Sequence, residues 1–113
     1  MTDGHVDTGR LLGLVDETGM SVNELIDLWT KETGTQLATV ANALASGDVA
    51  EATRIVHGAA SATALYGLAD LAAKLSGIEA LLKAGKAHEA APALERARAE
   101  FARVSQALER VRQ

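Results

Sequence analysis

The side chains of this sequence whose charge changes near neutral pH are three histidines, His5, His57 and His88. An imidazole can attack an electrophile, move a proton or bind a metal, so where each one sits decides which chemistry is open to it. His57 directly follows Val56, an apolar residue of a helical stripe, and one step of about 100° carries it to the flank of that stripe. Its ring is therefore expected to meet solvent. One turn away stand Thr53 and Arg54 before it and Ala60 and Ser61 after it, with Ala64 a further turn on. Most of these neighbours are small, which leaves the imidazole above a low surface that another protein's active site can reach. Gly58 is unusual in a helix and is a residue that often permits close approach. Spacing alone also fits a plainer reading, a boundary histidine whose small neighbours merely let two helices pack.

The other candidates are weaker. His5 falls in a start, residues 1–7, expected to be frayed, and His88 falls at a helix entry, so both read as solvated polar residues. With no cysteine there is no thiol nucleophile and no usual zinc cage. Asp16, Glu17, Glu24, Asp27, Glu32, Glu51 and Asp70 are spread over several segments without a Glu-x-x-His pattern, so no metal site is expected. The sequence carries no Gly-rich phosphate loop and no G-x-G-x-x-G, and no phosphorylation from ATP by this chain itself is expected.

The elements that must position His57 follow from hydrophobic spacing, which divides the chain into one short and four longer helical segments separated at glycines. The short one covers about Thr8 to Val15 and could serve as a lid. Ser21 with Glu24 forms a capping box opening a stripe of Val22, Leu25, Ile26, Trp29, Leu37, Val40, Ala41 and Leu44 up to Gly47. Gly34 weakens that helix without ending it. Asp48 with Glu51 opens the segment that carries His57, whose inward positions are Val49, Ala52, Val56, Ala59, Thr63 and Tyr66, and Gly67 ends it. Leu68, Leu71, Ala72, Leu75, Ile78, Leu81 and Leu82 line the next segment, closed by Gly85. The last starts between Lys86 and Pro92, with Leu94, Ala97, Phe101, Val104, Leu108 and Val111 inward; Pro92 fits its first turn or a kink. Four segments of similar length joined by short loops imply an all-α, antiparallel up-down-up-down four-helix bundle with a short extra N-terminal helix. Residues 1–113 are expected to form a single domain.

The composition narrows the partners. Fifteen acidic against eleven basic residues give a net charge of −4, and Trp29, Tyr66 and Phe101 are the only aromatics. Nucleic acid is excluded as an expected partner, because a concentrated positive surface and stacking platforms are both missing. No stretch approaches the roughly 20 apolar residues of a membrane span, and the first ten residues carry no export signal, so a cytoplasmic location is expected.

The ordered elements Leu25-Ile26-Asp27-Leu28-Trp29, Ala43-Leu44-Ala45-Ser46-Gly47-Asp48, His57 with Gly67 ten residues on, Ile78-Glu79 and Ala84-Gly85 resemble the histidine-containing phosphotransfer (HPt) family. The likeness runs from about Leu25 to Leu108. It implies that His57 reversibly accepts a phosphoryl group from the aspartyl phosphate of a response-regulator receiver domain or hybrid histidine kinase. It further implies no cofactor in this chain and Mg²⁺ in the receiver. Arg54, Ala60, Ser61, Ala64 and Lys74 are then the candidate partner-binding residues, and a monomer is the expected state. Two positions depart from the family: Ala60 stands where lysine is usual and Ser61 where glycine is usual. Those departures put the lifetime of the phosphohistidine in question, with Arg54 as the candidate substitute cation, and keep open a non-phosphorylated, receiver-binding or scaffolding bundle.

Overall fold

The computed structural model describes residues 6–113; Met1 to His5, and with them the reading of His5, lie outside it. Five helices follow in order: α1 (Thr8–Thr18), α2 (Val22–Ala45), α3 (Val49–Leu65), α4 (Ala69–Lys83) and α5 (Ala87–Arg110). Among the described residues the architecture is all-helical. Helix α2 packs on α3 and α5, α3 on α4, and α4 on α5, so the four longer helices enclose one core; α1 packs against α2. None is long and apolar enough to cross a membrane.

The caps read from the sequence are formed. Ser21 accepts from the Glu24 amide while the Glu24 carboxylate accepts from the Ser21 amide, both at 3.1 Å, and Asp48 accepts from the Glu51 amide. At the other ends, Gly47, Gly67 and Gly85 adopt left-handed backbone conformations that an L side chain rarely tolerates. Each closes the same turn: the residue after the glycine donates to a carbonyl five residues back, Asp48 to Ala43, Leu68 to Thr63 and Lys86 to Leu81. These short connections fix where each helix begins relative to the last.

Two sequence expectations change, the extent of the first helix and the place of Pro92, while Gly34 lies inside α2 without ending it, as expected. The first helix runs on to Thr18, stopping at the left-handed Gly19, and its start is anchored: Val6 is buried and Asp7 caps the Arg10 amide. Its Arg10 Nε donates to the Leu65 carbonyl at 2.8 Å, tying α1 to the end of α3. Pro92 lies beyond the first turn of α5, because the helix already starts at Ala87. Gly34 is a packing glycine: a Cβ there would meet the Phe101 ring at 3.4 Å.

The core is centred on Trp29, which is 2 % exposed. Its ring centroid is 5.2 Å from that of Phe101 and 6.3 Å from that of Tyr66. Its indole N–H donates to Thr63 Oγ1 at 3.1 Å, and the Tyr66 hydroxyl donates to the Leu25 carbonyl at 2.9 Å. Both bonds join α2 to the inner side of α3, and both keep a buried polar atom satisfied. Burial, and then the charge of Glu32, push the Tyr66 phenol above its ordinary range.

Candidate functional site

Helix α3 presents His57 on its outer side because Val56 beside it is fully buried. The imidazole is 66 % exposed. Gly58, next to it, serves no helix contact: a Cβ there would meet only the Gln36 side-chain nitrogen, at 3.9 Å. A mid-helix glycine costs about 1 kcal/mol relative to alanine. Here it leaves the surface beside the ring low.

The ring is held from α4. His57 Nδ1 lies 2.9 Å from Glu79 Oε2 and 3.1 Å from Oε1, and Lys83 Nζ lies 2.9 Å from the same Oε2. Glu79 and Lys83 are one turn apart on α4, so both side chains share a face. The Glu79 side chain is only 13 % exposed, so its carboxylate is largely covered beneath the open imidazole. The Lys83 ammonium first, and the His57 ring second, hold its carboxyl below the usual carboxylate range. An ionised carboxylate only accepts hydrogen bonds, so Nδ1 is the nitrogen that donates to it, and in the neutral form of the ring the lone pair then lies on Nε2. The arrangement is an accessible nitrogen nucleophile with its other nitrogen fixed.

The sequence-derived neighbours divide. Ser61 and Ala64 are exposed on the His57 side of α3, and the Ser61 hydroxyl donates back to the His57 carbonyl at 3.1 Å. Ala60 is a correction: it is 6 % exposed and part of the core, because the step from His57 to residue 60 turns toward the packed interior. It offers a partner little surface of its own. Arg54 is exposed but closed on Glu51 through two hydrogen bonds of 3.0 and 2.6 Å, which hold the Glu51 carboxyl below its usual range. Lys74 borders a depression between α4 and α5 with Ala93 and Arg96, away from the α3–α4 seam. Exposed His88 lies beside Glu89 on α5, bordering an apolar cavity of about 550 Å³ between α2, α3 and α5. Among the described residues no three His, Asp or Glu side chains converge as metal ligands would.

Sequence reasoning missed Glu79 and Lys83 as site residues. Glu79 was visible as a charge one step from inward-facing Ile78, on the helix that follows the histidine helix across a short turn.

Residues 24–113 match the family model of the Hpt domain. The fold is similar to the crystal structure of histidine-containing phosphotransfer protein B (HptB) from Pseudomonas aeruginosa PAO1, with a TM-score of 0.87 and 21 % identity over 96 % of this chain and 95 % of that one. No curated protein matches the sequence. With helices α3 to α5 and all but the first two residues of α2 inside the matched span, the chain belongs to the Hpt domain family, the histidine phosphotransfer domains of phosphorelays.

Proposed function

We propose that His57 is the phosphoryl-accepting residue of this domain, and that Nε2 is the atom that reacts. The observation that carries the reading is the pairing of Nδ1 with Glu79 on a ring that is 66 % exposed, because in the neutral imidazole that pairing puts the lone pair on Nε2. The partner is a receiver domain, free or within a hybrid kinase, and its aspartyl phosphate is the donor. Phosphoryl transfer asks mainly for in-line positioning and charge neutralisation. Here the receiver supplies Mg²⁺ and the acidic pocket, and this chain supplies an oriented imidazole. The short turns after Gly47, Gly67 and Gly85 support an up-down-up-down course for α2 to α5, which lays α3 along the outside of the bundle with His57 midway.

Gly58, Ser61 and Ala64 form the low ground around the ring, where a receiver can approach without meeting a large side chain. Arg54, already neutralised by Glu51, is a rim residue at most.

The test is incubation with a receiver carrying a labelled aspartyl phosphate. Acid-labile label is expected on this protein and is lost in His57→Gln. Stable binding of the receiver with no label on any histidine would sink the reading and leave a bundle that only sequesters its partner.

A further inference from the structure

We propose that Glu79 and Lys83 act as a positioning pair: Glu79 keeps a proton on His57 Nδ1 throughout the transfer cycle, and Lys83 limits how tightly it does so, setting the lifetime of the phosphohistidine. This rests on His57 being the acceptor.

One carboxylate oxygen serves both donors. Glu79 Oε2 lies 2.9 Å from His57 Nδ1 and 2.9 Å from Lys83 Nζ, so the two compete for the same electron density. The other surroundings of the ring add little charge. On α3, Arg54 is closed on Glu51. On α2, the residues that share a groove with Gly58 are the neutral Thr35, Gln36 and Thr39. The cation coupled to the ring is thus on α4, and it reaches the ring through Glu79.

The chemistry gives the two residues opposite effects. In the forward step the Nε2 lone pair forms the N–P bond, the P–O bond to the receiver's aspartate breaks, and its electron pair leaves with the carboxylate. The product is a phosphoimidazolium that retains the Nδ1 proton. When the N–P bond breaks, its pair returns to Nε2 and neutral imidazole leaves, with the phosphoryl group passing to an aspartate or to water. Were the Nδ1 proton lost, the leaving group would be an imidazolide, and departure would slow. Glu79 therefore promotes turnover of the phosphohistidine. Lys83 restrains Glu79.

The experiment loads the full chain chemically with phosphoramidate, without a receiver, and follows decay of the phosphohistidine by ³¹P NMR. Glu79→Gln is expected to lengthen the lifetime by about tenfold, or about 1.4 kcal/mol in the barrier to N–P cleavage. Lys83→Met is expected to shorten it by about twofold, as suits an exposed ion pair, and Lys83→Arg to restore it. Ring ¹⁵N shifts of the unphosphorylated chain should place the proton on Nδ1. Lifetimes that move in the same direction in Glu79→Gln and Lys83→Met, or in neither, overturn the proposal, as does a proton found on Nε2. Failure of a receiver to label His57 bears on the acceptor reading alone, because chemical loading needs no receiver.

Discussion

The two sides of α3 are held by different physics. Inside, Thr63 and Tyr66 meet α2 through hydrogen bonds that water cannot reach, beneath the packed rings of Trp29 and Phe101. Outside, His57 is held by a carboxylate at the edge of solvent, and that carboxylate is shared with a lysine. Buried bonds are expensive to break because an orphaned polar atom has no replacement partner. Exposed ones exchange with water at little cost. The inner side thus fixes the backbone from which His57 projects, and the outer side adjusts the ring itself without endangering the fold.

Damage to the inner side of α3 has the larger effect. Trp29→Ala removes the largest core side chain and leaves Thr63 without its donor, and is expected to destabilise the domain by about 3–5 kcal/mol in urea unfolding. Phosphoryl acceptance per folded molecule should persist at low urea, because Trp29 does not touch the ring's outer partners. Loss of labelling in molecules shown to be folded would mean the two sides are coupled.

Gly58→Ala probes the outer side with the opposite sign. The substitution meets nothing closer than Gln36 at 3.9 Å and is expected to stabilise the helix by about 0.5–1 kcal/mol. Transfer from a receiver should slow, because a methyl group now stands beside His57, while loading by a small donor should not. Equal effects on both donors would show that the low surface is not what a receiver uses.

The smallest effect is a titration. Lys83, then His57, lower the Glu79 carboxyl below its ordinary 4.5, so its stabilising contribution is present above that value and is lost as pH falls through the lowered folded value. Side-chain carboxyl NMR should find the Glu79 midpoint below 4.5 and see it rise in Lys83→Met. An unchanged midpoint would remove Lys83 from the pair.

Much of the inner side was legible in the sequence, since local rules govern it. Ser21 with Glu24 and Asp48 with Glu51 announce helix starts, and the stripe through Val56, Ala59 and Thr63 announces the buried face. His57 beside Val56 was placed outward by the same counting. The outer partners were not legible, because Glu79 is 22 residues from His57 in sequence and meets it only through the register of two packed helices. Ala60 misled for a related reason. Its smallness suggested an open surface, whereas small residues also mark where helices come close, and only the packing of α3 in the bundle decides between the two.

The left-handed turn at Gly67 can be regarded as the zero mark of a ruler. His57 stands ten residues before it and Glu79 twelve after, distances of roughly 15 and 18 Å along the two helices at 1.5 Å per residue. Substitutions leave those counts alone. A single residue inserted between Gly67 and Glu79 rotates the carboxylate by about 100° around α4 and carries it off the seam. Across related sequences this chemistry should therefore tolerate exchange of many residue types between positions 57 and 79 but not a change in their number.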